Sequence, residues 1–419
     1  MEVLPRVKIG DYYRMVGDDI STATQRPGRI LGLDLLRAVA AWLVLLSHVA
    51  FWTGAGAHGT VGGLAVRGEL GVAVFFALSA FLLSTPFVRR GLGDRAPWSA
   101  GRYLVRRAAR ILPAYLLALA AVVAVAAALG GAAGSVLDLP TVLVHLVVGQ
   151  GFTGRTFQSF TQTWSLTTEI TFYVLLPVVA LLVAPLVRAD TPVARARRML
   201  VLCAVVAVGG LCAQAASALV PDPQWAGVIA TSAAGHAAWF AIGTAATVLV
   251  EAERAGIEVT PRPALAVLRT SPGTLVLLAI VAWVIASTPI AGPRGVEAST
   301  PAQALAAEVL YGVVAASLLL AGTSRGLTES LTASPVAGAL RWLGNISYAV
   351  FLWHVLVLQV VFAALDLRLF AAPFAPTLLL VTIVSVGLGH LSWMLVERPV
   401  LDRAHRATVA PTPQPADRG

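Results

Sequence analysis

Residues 30–52 read ILGLDLLRAVAAWLVLLSHVAFW, a long apolar segment that contains Arg37 and His48. A helix turns about 100° per residue, so a spacing of eleven residues brings these two side chains to within roughly 20° of each other. They therefore share a helix face and lie about 16 Å apart along the axis, at a rise of about 1.5 Å per residue. Ionisable groups inside a membrane helix are costly and usually functional, so the pair indicates a site that extends across most of a bilayer.

The composition of the whole chain indicates a membrane protein. Of its 419 residues 58% are hydrophobic and 12% are charged, and the mean hydropathy is +0.80. A soluble domain carries about 25% charged residues, so most of this surface must contact lipid. Because the arginines cluster at the ends of apolar runs, the net charge of +9 indicates membrane topology rather than nucleic-acid binding. The two cysteines share one apolar run without metal-ligand spacing, and no cleavable signal is recognisable.

Ten apolar stretches are long enough, at about 20 residues each, to cross a bilayer as helices. They run over residues 30–52, 71–88, 111–130, 164–187, 199–220, 229–250, 272–291, 303–323, 343–365 and 376–397. The shorter apolar stretch 139–150 predicts a re-entrant or surface helix. The sequence therefore predicts an all-α integral membrane protein with about ten transmembrane helices.

The distribution of basic residues predicts the orientation of these helices. With ten spans, 25 basic residues fall on one side and four on the other, and Arg37 lies within the first span. Positive charge concentrates on the cytoplasmic side, so we expect both termini to be cytoplasmic and the multi-pass chain to lie in the plasma or inner membrane. Polar residues 1–27 and 403–419 are predicted to be disordered cytoplasmic ends around a transmembrane domain of residues 28–402.

Depth along the helices brings a second ionisable group near His48. The fourth span begins at Trp164 and runs inward, which puts Glu169 about 7 Å below the outer face, at a depth similar to that of His48. A carboxylate beside a histidine fixes its tautomer and raises its basicity, so we predict a catalytic pair if the two helices touch. The alternative is structural, with His48 as a packing residue and Arg37 as the ion-pair partner of Asp34.

Arginines at the start of the third span predict a site for phosphate. Arg106, Arg107 and Arg110 precede Pro113, and Arg110 shares a helix face with either of the other two. Planar guanidinium groups bind phosphate oxygens bidentately, which favours a phosphate-bearing cosubstrate on the cytoplasmic side. Topology alone also requires arginines in the loop 89–110, so solvated or lipid-bound side chains are the simpler interpretation for most of them.

Six short motifs, taken in order, resemble those of the membrane acyltransferase-3 family. They are GLDLLRA at 32–38 followed by His48, GVAVFFALSAF at 71–81, RRAARILPAY at 106–115, WSLTTE at 164–169, GNISY at 344–348 with His354, and ERP at 397–399. The resemblance covers about residues 29–402. Ala80 stands where the family usually has glycine, and Ala73 and Ile170 stand where it often has acidic residues. Some relatives carry a fused SGNH hydrolase-like domain, and we expect none here.

The resemblance implies transfer of an acyl group, usually acetyl from acetyl-CoA, to a hydroxyl of a carbohydrate, an envelope glycolipid or a macrolide. His48 would act as general base on that hydroxyl, with Glu169 as its partner. His354 matches a family position and is interpreted as structural or part of the substrate pathway. The residues expected to bind the phosphates of coenzyme A are Arg37, Arg106, Arg107 and Arg110. The candidates for hydrogen-bond donors to the oxyanion are Trp164, Ser165, Tyr348 and Ser79.

Other functions fit the same residues. Buried Arg, Glu and His also mark pathways in transporters of small anionic or acylated substrates, although no inverted repeat or paired broken helices accompany them here. A lipid-binding scaffold would not require His48 and Glu169 at equal depth. We expect the lipid bilayer and acyl-CoA as partners and no metal. The expected acceptor is an envelope glycan or glycolipid, with a macrolide or other secondary metabolite as the alternative.

Overall fold

The computed structural model of the chain describes residues 29–95, 98–129, 137–259, 271–295 and 297–408. The predicted disordered segment 1–27 and residues 409–419 of the predicted tail lie outside the described residues. Residues 403–408, also predicted as tail, belong instead to the last described helix. Within the described ranges the chain forms helices, turns and loops and no strand, which confirms the predicted all-α class.

Sixteen α-helices follow one another along the described chain. They are α1 (Leu31–Thr53), α2 (Gly59–Val66), α3 (Gly71–Leu92), α4 (Ala100–Leu129), α5 (Leu139–Leu146), α6 (Gln150–Thr153), α7 (Trp164–Val187), α8 (Pro192–Ser217), α9 (Pro223–Ala230), α10 (Ala237–Arg254), α11 (Pro272–Ala286), α12 (Pro301–Thr323), α13 (Arg325–Ala333), α14 (Ala337–Ala364), α15 (Phe374–Ser392) and α16 (Arg398–Thr408). A wide π turn, Trp393–Glu397, joins α15 to α16.

Eight helical segments of the described chain are long and apolar enough to cross a membrane, and they contain α1, α3, α4, α7, α8, α12, α14 and α15. The other two predicted spans are helical but less suited to crossing. Helix α10 ends in three charged residues, and the 15 residues of α11 extend about 22 Å, less than the roughly 30 Å of a bilayer core. The protein is an all-α integral membrane protein, and ten spans remains the predicted number.

The sixth predicted stretch begins differently from the expectation. Residues 229–236 form the end of α9 and a turn, and the long helix begins only at Ala237. At Gly235 a Cβ would lie 2.4 Å from the carbonyl oxygen of Ile229, so this tight turn accepts no larger residue without rearrangement. Hydropathy alone does not reveal such a turn, because its residues are small and apolar.

Helices α1 and α14 form the centre of the bundle. In α14 78% of the most apolar window is buried, whereas in α8 only 11% is buried, so α8 has most of its apolar surface available to lipid. The central pair runs parallel, because Gly344 near the start of α14 contacts Asp34 near the start of α1, and His354 contacts His48 further along both helices. This interface carries polar groups from one end of the membrane region to the other.

Candidate active site

One end of the α1–α14 pair, predicted to be cytoplasmic, is an ion-pair cluster around Asp34. The Asp34 carboxylate is 1% exposed and accepts from Arg29 Nε at 2.5 Å and from Arg37 Nη1 at 2.8 Å. Arg29 also donates through Nη2 to Asn345 Oδ1 at 2.9 Å. Gly344 allows this close approach, since a Cβ there would lie 2.7 Å from the Cβ of Asp34. Arg37 thus has the ion-pair partner that the structural interpretation predicted, and it keeps 28% of its side chain accessible.

At the other end of the same helix pair, His48 meets His354. His354 Nε2 lies 3.3 Å from His48 Nδ1, and the ring centroids are 5.0 Å apart. His48 Nδ1 also lies 2.9 Å from the carbonyl oxygen of Val44. His354 Nδ1 lies 2.7 Å from the carbonyl oxygen of Phe351. Each ring is therefore oriented by a backbone carbonyl about one turn earlier in its own helix.

These contacts assign the hydrogen positions of both neutral rings. A carbonyl oxygen only accepts, so Nδ1 carries the hydrogen in His48 and in His354. His354 Nε2 then has a lone pair and shares the His48 Nδ1–H with the Val44 carbonyl. His48 Nε2 also has a lone pair, and no described residue forms a hydrogen bond with it. A neutral imidazole with a free nitrogen can take a proton from a reacting hydroxyl.

Glu169 does not pair with His48, contrary to the expectation from depth. Its Oε1 accepts from the hydroxyl of Ser79 on α3 and from the hydroxyl of Tyr173 on α7. Among the described residues, no hydrogen bond or ion pair links it to His48. Helix α7 packs on α3, and α3 packs on α1, so the intervening helix supplies the partner of Glu169. Equal depth is necessary for a contact but does not decide which helix face each side chain occupies.

A buried pair of imidazole and carboxylate exists elsewhere, where the sequence did not indicate it. His236, just before α10, has Nδ1 3.1 Å from Glu308 Oε2 of α12, and both side chains are buried. The His236 ring stacks on Trp239 with centroids 4.1 Å apart and lies 5.5 Å from the ring of Trp164. This pair connects α10 to α12 and supports the first residue of α7.

Arg110 lies among aromatic rings and one carboxylate. Its guanidinium carbon is 5.8 Å from the centre of the Tyr348 ring and 5.7 Å from that of Trp393. Glu397, 1% exposed, has Oε2 3.5 Å from Arg110 Nη1. Trp393 and Glu397 begin and end the π turn, a feature that is frequent at functional sites. The motifs at 106–115, 344–348 and 397–399 therefore meet around one guanidinium.

Arg107 and Arg106 have different surroundings although they are adjacent. Arg107 is half-buried on α4 and close enough to Glu169 to interact with it electrostatically. None of the described residues forms a hydrogen bond or ion pair with Arg107 at the distances that define one. Arg106 is exposed and has an interaction of its own. Of the arginines predicted to bind phosphate, Arg107 is therefore the most available to a ligand.

The four candidates for oxyanion donors differ in availability. The hydroxyl of Ser79 donates to Glu169, that of Ser165 to the carbonyl of Gln162 at 2.9 Å, and that of Tyr348 to the carbonyl of Ile111 at 3.1 Å. Trp164 stacks against aromatic rings, and its indole N–H has no acceptor among the described residues. Trp164 is thus the candidate whose donor is free in this arrangement.

Sequence reasoning did not place His354 beside His48, because the expected partner of His48 was an acid. His48 and His354 each lie 17 residues after the first residue of their helices, which run parallel. The predicted ninth span began at residue 343, six residues late, and this hid the equal offset. A correct helix start would have placed the two histidines at similar depth, without showing that their helices are neighbours.

Comparison with known proteins identifies the family. A family model described as an acyltransferase domain matches residues 30–393 of this chain. A relative named as a membrane-bound transacylase, BcsY of Komagataeibacter xylinus, is 29% identical over 411 residues, 90% of this chain and 84% of that protein. Nodulation protein 10 of Rhizobium leguminosarum bv. viciae is 29% identical over 164 residues, 34% of this chain and 42% of that protein. No solved structure gives a significant match. Because the match spans most of the chain and its apolar helices, the protein belongs to the membrane acyltransferase-3 family and is a multi-pass membrane acyltransferase.

Proposed function

We propose that the protein transfers an acyl group, acetyl in the simplest case, from acyl-CoA to a hydroxyl of an envelope glycan or glycolipid. The observation that carries this proposal is the free Nε2 of His48, whose ring is fixed by the Val44 carbonyl and by His354. Such a nitrogen, held in one tautomer among apolar helices, is what a general base requires. Membership of an acyltransferase family supplies the class of reaction.

The proposed reaction is a direct transfer of the acyl group from the thioester to the acceptor hydroxyl. His48 Nε2 takes the proton of the acceptor hydroxyl while the hydroxyl oxygen attacks the thioester carbonyl carbon. The tetrahedral intermediate collapses with cleavage of the carbon–sulfur bond, and the departing coenzyme A thiolate takes the proton from the imidazolium. The Trp164 indole N–H is the available donor for the developing oxyanion. No covalent acyl-enzyme is needed, since base and acceptor suffice.

The donor is proposed to enter at the end of α1 that holds the arginines. Arg107 has no protein partner within hydrogen-bond distance in the described chain, and Arg110 and Arg37 retain 27% and 28% of their side-chain surface. A phosphate arriving there would meet the guanidinium of Arg107 and those of Arg37 and Arg110, which protein carboxylates already orient. The roughly 16 Å of helix between Arg37 and His48 is comparable to the length of a pantetheine arm.

Glu169 enters the proposal with a changed role. It accepts hydrogen bonds from the hydroxyls of Ser79 and Tyr173 and lies close enough to Arg107 for their charges to interact. We assign it to the shape and charge of the donor pathway rather than to His48. Its substitution should then change the KM for acyl-CoA more than the proton-transfer step.

The test uses purified full-length protein in nanodiscs with acetyl-CoA and a thiol-reactive chromophore. Wild-type protein should release thiol, and the His48→Ala variant should not. Label from acetyl-CoA should also appear in extracts of native membranes that contain the acceptor. If the wild type neither binds acetyl-CoA nor releases thiol, a transport role becomes the better explanation and the proposal fails.

A further inference from the structure

The segment between α2 and α3 folds back into the bundle and carries one carboxylate. At Gly68 a Cβ would lie 2.2 Å from the carbonyl oxygen of Leu43 on α1, so the backbone here touches α1 directly. Leu70, two residues on, is 0% exposed. Glu69 lies between them, and yet its side chain is 51% exposed. The carboxylate is therefore accessible and not covered by packed side chains, although its neighbours on both sides contact the bundle.

Two buried side chains hold this carboxylate in one position. Tyr311 of α12 donates its hydroxyl to Glu69 Oε1 at 2.6 Å, and Arg67 Nη1 lies 3.3 Å from the same oxygen. Arg67 in turn donates through Nη2 to the carbonyl of Gly292 at 2.6 Å. Both bonds to Glu69 involve Oε1, and no described residue bonds Oε2. A fixed carboxylate with a free oxygen is a strong acceptor for a ligand hydroxyl, because hydrogen bonds to charged groups are the stronger ones.

The segment that carries Glu69 also lies close to His48. At Gly71 a Cβ would lie 2.9 Å from the Val44 side chain, and the Val44 carbonyl is the group that fixes His48 Nδ1. The segment carrying Glu69 therefore packs on the same turn of α1 that orients the base. The charge of Glu69 also acts on the His48 ring, and His48 itself keeps accessible surface. Glu69 and His48 thus lie on segments that pack against each other at the same end of α1.

We propose that Glu69 is an acceptor-binding residue, which accepts a hydrogen bond from a second hydroxyl of a polyhydroxylated acceptor while His48 receives the proton of the hydroxyl that is acylated. This inference rests on the proposed function. It narrows the acceptor class, because a simple alcohol with one hydroxyl could not use both groups, whereas a carbohydrate can. Arg67 and Tyr311 act as positioning residues, since they hold Glu69 and do not reach the ligand.

The first test compares transfer with hydrolysis in membranes of a deletion strain that is complemented with each variant and supplied with acetyl-labelled acetyl-CoA. Glu69→Gln keeps the size of the side chain and an oxygen for Tyr311 but removes the charge. We expect transfer of label to the native acceptor to fall about 10- to 100-fold, the effect of losing a charge-assisted hydrogen bond, while release of thiol by hydrolysis changes less than about threefold. Tyr311→Phe, which removes the hydroxyl that holds Glu69, should give a smaller loss in the same direction.

The outcomes separate this inference from the function on which it rests. Transfer by the Glu69→Gln variant within about threefold of wild type overturns the inference, and so does a parallel fall in transfer and hydrolysis, which would indicate a structural role. The proposed function fails by a different result, namely thiol release that His48→Ala leaves unchanged.

A second measurement tests the accessibility of position 69 without any acceptor. In a background with Cys203→Ala and Cys212→Ala, the Glu69→Cys and Leu70→Cys variants are treated with a small water-soluble methanethiosulfonate. The Glu69→Cys variant should react and the Leu70→Cys variant should not, since only position 69 is accessible. An unreactive Glu69→Cys variant overturns the inference.

Discussion

The two ends of the α1–α14 interface accommodate buried polar side chains in different ways. At one end a buried carboxylate, Asp34, is matched by two arginines and, through Arg29, by Asn345 of the opposite helix. At the other end two neutral imidazoles, His48 and His354, share one hydrogen and leave one nitrogen free. At the first end the buried carboxylate has counter-charges and hydrogen-bond partners, whereas at the second end one imidazole nitrogen has no partner among the described residues.

Within this helix pair the Asp34 end therefore serves mainly the stability of the fold, and the His48 end mainly the proposed reaction. Removing one partner from a compensated cluster leaves a buried charge alone, so the cost falls on folding. Removing a group whose reactive atom bonds nothing in the protein costs folding little and function a great deal. Substitutions at the two ends should therefore fail in different assays, and the following predictions use that contrast.

The largest effect is expected for His48→Ala. Loss of a general base typically costs about 10²- to 10⁴-fold in rate, so we expect thiol release from acetyl-CoA to fall about 10³-fold. The midpoint of thermal unfolding should fall only slightly, because the substitution removes just the Nδ1–H bond shared by the Val44 carbonyl and His354, worth about 1 kcal/mol. More than a tenth of wild-type activity in this variant would contradict the assignment of His48 as the base.

At the opposite end, Asp34→Ala should destabilise the fold. Arg29 and Arg37 would lose their counter-charge, and we expect a loss of about 2 kcal/mol in unfolding free energy, below the usual figure for a fully buried pair because both arginines keep accessible surface. Thermal unfolding in detergent measures this loss. Asp34→Asn, which keeps the size and one acceptor, is the matched control and should lose less. Equal stability of the Asp34→Ala variant and the wild type would contradict a structural role for this cluster.

His354→Phe should sharpen the contrast at the histidine end. The substitution keeps an aromatic ring but removes the second acceptor of the His48 Nδ1–H, and a lost hydrogen bond of about 1.4 kcal/mol corresponds to a tenfold lower kcat. The KM for acetyl-CoA should not change. In a His48→Ala background the same substitution should have no further effect, because the residues act as a unit. Additive losses would mean that His354 acts independently of His48.

The smallest effect is expected for Arg107→Ala. A partly exposed guanidinium that binds phosphate contributes roughly 1 kcal/mol, so the KM for acetyl-CoA should rise about fivefold with little change in kcat. Arg102→Ala is the matched control, since Arg102 is an exposed arginine of the same helix. An unchanged KM in the Arg107→Ala variant would show that the phosphates bind elsewhere.

The sequence was sufficient for the class of fold but not for the pairing of the candidate residues. Hydropathy found the spanning helices because apolar length is a property of each segment alone. The pairing of Glu169 depended on which helices are neighbours, and α3 carries Ser79 to it before α1 can offer His48. Asp34 was weighed only as a local partner of Arg37, although it also joins α1 to α14 through Arg29 and Gly344. The depth and helix face of a residue follow from its own segment, whereas the helices next to it depend on the whole fold.

The π turn at Trp393–Glu397 determines which changes in length the last helix can accept. A wide turn holds one residue more than a regular turn, so deleting a single residue from it would restore an ordinary α-helix without breaking the chain. Because the wide turn already absorbs the extra residue, the helix beyond it would keep nearly its present rotation, while the local backbone that brings Trp393 and Glu397 to Arg110 would change. A single-residue deletion at this junction should therefore preserve α16 and alter mainly the surroundings of Arg110.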